Sequence, residues 1–170
     1  MPTTGYTRAA HACLSCATMA VVAVLDQATK AWARLALAGG PKTFVDGVMD
    51  LSLTYNTGAA FSVGQGAGVL FALVALAAVA AVFYVVWRHP EMPPALVVSL
   101  SCVAGGGLGN MVDRIAFGKV TDFLRTTFVD FPVFNVADAF ITVGVAVSVV
   151  LLWRWDARRE TPDRRGAKRA

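Results

Sequence analysis

Four stretches of this chain, about 12–37, 68–87, 95–112 and 134–153, are long and mostly apolar. A run of roughly 20 such residues is enough to cross the hydrocarbon core of a bilayer as a helix. No other feature narrows the fold as far. Inside lipid every backbone N–H and C=O must be satisfied within the protein, which leaves only helices or closed barrels. The composition agrees, since 56% hydrophobic residues against 15% charged is too apolar for an ordinary soluble domain of 170 residues. The expectation is an all-α membrane protein, one domain over 1–170 with four transmembrane helices.

The punctuation between the runs fits that reading. Gly39-Gly40-Pro41 closes the first, Arg88-His89-Pro90 stops the second, and Pro93-Pro94 opens the third. Between the first two, Leu51, Leu53 and Tyr55 alternate with Ser52 and Thr54, the period of a β-strand. The glycines of 105–109 weaken helix propensity, but in lipid they let helix backbones approach closely. Residues 113–132 read as a polar connection. The first apolar run has no small-residue cleavage pattern at its end and flows into Asp26-Gln27, so it reads as an uncleaved span.

Charge sets the orientation. Arg154, Arg158, Arg159, Arg164, Arg165, Lys168 and Arg169 crowd the tail, 154–170. Basic residues just beyond a span mark its cytoplasmic flank, and Arg88 in the short second connection agrees. No aromatic residue follows Trp155, so the tail has nothing to stack on bases, and no nucleic-acid partner is expected. Four crossings return the chain to its starting side, so both termini are expected in the cytoplasm and 38–67 and 113–133 outside. Lys30, Arg34, Arg114, Lys119 and Arg125 then run against the rule, as charges committed to a site would.

Elimination narrows the chemistry. His11 and His89 flank spans on the inner side, with no acid or cysteine seen as a partner, which argues against a His-based nucleophile system or zinc site. Cys13-Leu14-Ser15-Cys16 has redox spacing without the strand and helix context, so those residues and Cys102 read as small buried residues. The glycine run lacks the Lys-Ser/Thr of a phosphate loop. No metal or cofactor is expected.

Four aspartates remain near the outer interface: Asp26, Asp113, Asp122 and Asp138. An ionisable group at membrane depth needs a reason to be there. Asp26 lies one helical turn before Lys30, where the two can neutralise each other. Asp113 adjoins Arg114, which again suggests charge balancing. Asp138, three residues after Asn135, suits an acid in a capped first turn, and Asp122 could be a loop acid at the interface. Together, Asp122 and Asp138 allow another reading. Two carboxylates sharing a partly desolvated site tend to hold one proton between them, the arrangement of aspartic peptidases. Two rival readings are a small transporter or channel subunit relaying ions through its acids, which should then sit near mid-bilayer, and a purely structural assembly subunit.

Asp26-Gln27-Ala28-Thr29-Lys30, Tyr55-Asn56-Thr57-Gly58-Ala59-Ala60-Phe61-Ser62, the segment 105–114, and Phe134-Asn135-Val136-Ala137-Asp138 together resemble the lipoprotein signal peptidase (type II signal peptidase) family over about 12–155. The resemblance implies a multi-pass peptidase of the bacterial inner membrane with a small extracytoplasmic sheet. It implies substrates that are prolipoproteins carrying a diacylglyceryl group on the lipobox cysteine, met among membrane phospholipid, and inhibition by globomycin. It puts the catalytic pair on Asp122 and Asp138 near the extracytoplasmic face. The supporting and substrate-binding residues fall on Asp26, Asn56, Gly106, Asn110, Asp113, Arg114 and Asn135. Gly107, Thr121 and Ala139 depart from the family's usual alanine, valine and serine.

Overall fold

The structure, a computed structural model, describes residues 7–58 and 68–160. The 59–62 part of the second family motif and the tail residues Arg164, Arg165, Lys168 and Arg169 lie outside the described residues. Seven elements follow in order: α1 (Arg8–Ala36), β1 (Lys42–Val45), β2 (Met49–Asn56), α2 (Gly68–Arg88), α3 (Pro94–Phe117), β3 (Val120–Thr126) and α4 (Val136–Glu160). All four helices are long and apolar enough to cross a membrane. The three strands form one antiparallel sheet in the order β1-β2-β3, so the expected architecture of four helices and a small sheet holds.

Sequence explains where each helix starts and turns inward. Thr7 caps α1 by accepting from the Ala10 N–H, which starts the helix ahead of its apolar run. The buried residues of α1 are His11, Ser15, Met19, Val22, Asp26, Lys30 and Ala33, one stripe at helical spacing that carries Asp26 and Lys30 inward with the apolar side chains. Pro94 opens α3, and Gly118 ends it in the left-handed conformation at φ 68°, its N–H returning to the Arg114 carbonyl. The third helix therefore runs beyond its apolar window and includes Asp113 and Arg114, which were expected in a connection. It can do so because both charges find partners inside the protein.

The centre of the bundle is α3, which packs against each of the other helices. Half of its apolar window is buried, against 6% for α2, which lies at the edge. Two serine pairs join helices at membrane depth, Ser15 to Ser101 at 2.8 Å and Ser148 to Ser99 at 2.9 Å, hydrogen bonds that lipid cannot replace.

Two apolar clusters mark the two ends. Val86, Met92, Leu96 and Val97 pack with Leu14 and Trp155, so the start of α1, the α2–α3 connection and the end of α4 share one face. At the other face Ala33 and Leu37 meet Leu51 and Phe123 of the sheet, with Val136 of α4 packed alongside. On the first face His89 does have an acidic partner, since Glu91 reaches its Nδ1 at 3.1 Å. Two residues of separation across Pro90 turn the pair toward each other, a contact that reading along the chain passed over. The cysteines are corrected too: Cys13 and Cys16 are exposed and Cys102 only partly buried, because the buried stripe of α1 passes through Ser15 instead.

Candidate active site

The sheet sits at the face where α1 and α3 end and α4 begins, and this junction collects the polar residues. Strand β3 carries Asp122, opposite Thr54 of β2, with Asn56 opposite Val120 at the end of the ladder. All four residues 120–123 are buried. Asp122, expected in a loop, therefore lies in a strand. That strand continues into α4 through Phe134, which pairs with Leu124 in both directions at 2.8 and 3.0 Å. The pairing holds the start of α4 beside Asp122.

Asn135 and Asp138 close the first turn of α4 reciprocally. The Asp138 N–H donates to Asn135 Oδ1 at 3.0 Å, and the Asn135 N–H donates to Asp138 Oδ2 at 3.2 Å. This is a capping box built from Asn and Asp. The same Asn135 donates through Nδ2 to Asp122 Oδ1 at 2.6 Å, and Asn110 of α3 donates through Nδ2 to Asp138 Oδ1 at 2.8 Å. The cap and the carboxylate cluster are thus one piece of structure, with Asn135 joining Asp122 to Asp138.

Beneath them lies a layer of buried ions. Asp26 and Lys30 pair at 2.8 Å with both side chains fully buried, as their spacing suggested. Asp26 also accepts from the Ala137 N–H at 3.0 Å, pinning α4 to α1 one residue before Asp138. Asp113 and Arg114 attract as charges, but Asp113 does not face its neighbour, since adjacent residues on a helix point different ways. It accepts from the Thr121 N–H at 2.8 Å and from Gln27 at 3.1 Å, and lies 3.7 Å from both Lys30 and Arg34. Asp113 thereby fixes the strand one residue before Asp122. Arg114 instead donates to the carbonyls of Gly58 at 2.9 Å and Asn110 at 3.2 Å, with its guanidinium over the Phe71 ring. Asn56 accepts from the Gly58 N–H at 2.8 Å and its side chain also hydrogen-bonds Asp122.

Two glycines make room for this layer. A Cβ on Gly106 would stand 2.6 Å from the Ala137 carbonyl oxygen, and one on Gly109 would run into the Asp26 carboxylate. Thr121, where the family resemblance led us to expect valine, accepts from Arg34 Nη1 at 2.9 Å, so its hydroxyl is used. Gln27 joins the site without having been singled out, and Lys30 and Arg34 join it as their exception to the charge rule suggested, though neither was given a role there. Their signal was present, as Lys30 and Arg34 follow Asp26 at four and eight residues on one face of α1.

Above the carboxylates opens a cavity of about 640 Å³. Asn56, Asn110, Arg114, Asp122 and Asp138 line its polar end, while Phe131, Pro132, Val133, Phe134, Ile141 and Val143 form an apolar wall. Ala139 also lines it. Burial, more than any partner, pushes the Asp122 carboxyl up to about 6, with the Asp138 charge adding to the rise and the Asn135 hydrogen bond opposing it. Among the described residues no cluster of three or more His, Cys, Asp or Glu is arranged to hold a metal ion.

Four helices long and apolar enough to span a membrane, with buried carboxylates opening into a largely apolar cavity at one end of the bundle, define a multi-pass membrane protein with an acidic site. The family model for signal peptidase (SPase) II, peptidase A8, matches residues 18–154. Proteins named lipoprotein signal peptidase from Streptococcus pyogenes serotype M5 (strain Manfredo) and serotype M18 (strain MGAS8232) are each 35% identical over 136 residues, 79% of this chain and 89% of theirs. A bacterial membrane enzyme solved by the in meso method at 2.3 Å superposes with a TM-score of 0.78 at 25% identity, covering 88% of this chain and 93% of that one. A second, at 1.9 Å, gives 0.70 at 28% identity, covering 81% and 91%. The chain belongs to the signal peptidase II family, the aspartic peptidases of family A8.

Proposed function

We propose that this chain, acting as one integral membrane unit over 1–170, removes the signal peptide from diacylglyceryl-modified prolipoproteins. It cuts before the lipidated lipobox cysteine, with Asp122 and Asp138 activating the water. The observation that carries this reading is the shared Asn135, which joins both carboxylates at the polar end of a largely apolar cavity. An extended peptide laid along that cavity would bring its scissile carbonyl to the carboxylates and leave the apolar wall for the lipidated side.

The charges fit a pair that shares one proton. Asp26, Asp113, Asp122 and Asp138 meet three cations, Lys30, Arg34 and Arg114. A single proton on the Asp122–Asp138 pair balances the cluster, and the raised Asp122 carboxyl supports holding it there. In the proposed reaction the ionised carboxylate takes a proton from water as its oxygen attacks the carbonyl carbon. The protonated partner gives its proton to the carbonyl oxygen, forming a neutral tetrahedral diol. The diol collapses as one of its hydroxyls gives its proton to the ionised carboxylate and the protonated partner gives its proton to the leaving cysteine nitrogen while the C–N bond breaks, so the pair again holds one proton. Asn110 and Asn135 hold the two carboxyls in place, and Arg114 lies where it can meet substrate backbone carbonyls.

A lipidated cysteine delivered after export lies in the outer leaflet of the bacterial inner membrane. The reading therefore sets the sheet face outside, with both termini in the cytoplasm. Purified protein should cleave a diacylglyceryl-cysteine precursor peptide at the bond before that cysteine, identified by the mass of both products, and leave the unlipidated peptide uncut. Equal cleavage of both peptides would remove lipid recognition from the proposal.

A further inference from the structure

We infer that Lys30 is a positioning residue of the proposed aspartate pair: as a donor-only cation it fixes the orientation of the Asn110 amide and, through it, the direction of the hydrogen bonds reaching Asp138 and Asp122. This rests on the reading of Asp122 and Asp138 as the reacting carboxyls.

Charge neutralisation of Asp26 accounts for only part of what Lys30 does. Its Nζ, fully buried, lies 2.8 Å from Asp26 Oδ2 and equally 2.8 Å from Asn110 Oδ1, on a different helix. An ammonium group has three donors and no acceptor. Asn110 must therefore turn its oxygen to Lys30, and its NH2 is then left to face Asp138 Oδ1 at 2.8 Å. The orientation propagates. Asn110 Oδ1 also accepts from Asn135 Nδ2 at 3.1 Å, and the other Asn135 hydrogen goes to Asp122 Oδ1 at 2.6 Å. Asn135 Oδ1 is in turn committed to the Asp138 N–H.

Every link thus ends by donating into a carboxyl oxygen. Without the ammonium, the longer 3.1 Å contact from Asn135 Nδ2 is the remaining described donor to the Asn110 oxygen, and Asn110 becomes freer to take a second orientation in which its carbonyl oxygen faces Asp138. That orientation is stable only if Asp138 carries the proton on that oxygen, so the proton would be held away from the water. In a buried, low-dielectric network such a reversal acts on every member. The groups around the network are Asp26 and Arg34 on α1, Asp113 and Arg114 on α3, Asp122 on β3 and Asp138 on α4. Only Lys30 among the cations hydrogen-bonds the Asn110 side chain in the described contacts.

The test compares kcat, KM and the pH profile of lipopeptide cleavage for purified Lys30→Met, Asn110→Ala and the double variant, at matched folded concentration. Lys30→Met should lower kcat by roughly 10- to 100-fold, the scale of a misplaced catalytic group, with KM changed by no more than about twofold. Its profile should move to higher pH, because a cation near the pair has been lost. The double variant should be no slower than Asn110→Ala, since Lys30 acts through Asn110. A folded Lys30→Met enzyme with an unchanged profile, or losses that multiply in the double variant, overturns the inference. If Lys30→Met does not fold, the charge-balanced Asp26→Asn/Lys30→Met protein is compared with Asp26→Asn, and an unchanged kcat and profile there overturns it equally. Asp122→Asn and Asp138→Asn measured alongside separate the two claims. Turnover in either removes the aspartate pair itself, whereas inactivity in both with a wild-type Lys30→Met removes only the role of Lys30.

Discussion

Substituting alanine for Gly106 or for its neighbour Gly107 should have opposite outcomes, although both glycines lie in the middle of α3. Each change gains about 0.8–1 kcal/mol of helix propensity. At Gly107 the new methyl would sit 3.6 Å from the Ala75 Cβ on α2, an ordinary van der Waals contact. Gly107→Ala should therefore stabilise the protein by ~0.5–1 kcal/mol and leave turnover unchanged. At Gly106 the methyl would lie 2.6 Å from the Ala137 carbonyl oxygen and 2.8 Å from Ile141 Cγ1, so α4 must move away. Overpacking of this kind costs ~1–3 kcal/mol, which after the propensity gain leaves a net loss of up to ~2 kcal/mol. The larger effect is on rate. Ala137 precedes Asp138, and its N–H is held by Asp26. A displacement approaching 1 Å at Asp138 would lower turnover by up to ~100-fold. Thermal unfolding in detergent and cleavage of a lipidated precursor peptide, measured on both purified variants, decide the matter. A Gly106→Ala enzyme with wild-type stability and turnover would refute the argument that α3 and α4 must touch there to place Asp138.

Three further outcomes follow from the same structure. Asp26→Asn leaves Lys30 with its hydrogen bond to Asn110 but only the longer ion pair, to Asp113, and weakens the hold on Ala137, so folded yield and thermal stability should fall more than turnover per folded molecule; normal stability with complete loss of turnover would move Asp26 into the chemistry. Because burial raises the Asp122 carboxyl from 3.8 to about 6, folding favours its protonated form, and that contribution is present below the ordinary carboxyl range and lost as pH rises through about 6. Folded Asp122→Asn should therefore melt higher than wild type above pH ~7 and no higher near pH ~4, by thermal scans across pH, and a pH-independent difference would refute the assignment. A reporter active only outside the cytoplasm should be silent when fused after Arg159 and active when placed near Lys42; the reverse pattern would put the carboxylates on the wrong face.

How much of this was legible in the sequence depends on whether each signal was local. The four helices were readable because apolar length is a property of consecutive residues, and β2 because Leu51, Leu53 and Tyr55 alternate. Strand β3 was not, since residues 120–123 are buried on both sides and show no alternation. The end of α3 was misplaced because Asp113 and Arg114 look like a polar connection until their partners are known. Those partners lie far away in the chain, Gln27 and Lys30 for Asp113 and Gly58 for Arg114. The capping reading of Asp138 and the shared-proton reading looked like alternatives. In the structure they coexist, because Asn135 caps the helix with one end of its amide and holds Asp122 with the other. Roles that depend on direction, such as the donor-only contact of Lys30 with Asn110, belong to a three-dimensional network that no spacing along the chain records.

The central claim, that Asp122 and Asp138 share the chemistry while Asp113 only orders the site, is tested most directly by three substitutions measured together. Asp122→Asn, Asp138→Asn and Asp113→Asn should be purified and their cleavage of a diacylglyceryl precursor compared at matched folded concentration. Asn keeps the size of each side chain and one acceptor oxygen, but it turns the other oxygen into a donor and removes the carboxylate that must accept or donate a proton. Asp122→Asn and Asp138→Asn should each fold, bind globomycin at least weakly and show no cleavage. Asp113→Asn should retain measurable cleavage or lose it only with its fold, because its oxygens are spent on Thr121, Gln27, Lys30 and Arg34. A well-folded Asp122→Asn enzyme with near-normal turnover would contradict the account and make Asp113 the partner of Asp138.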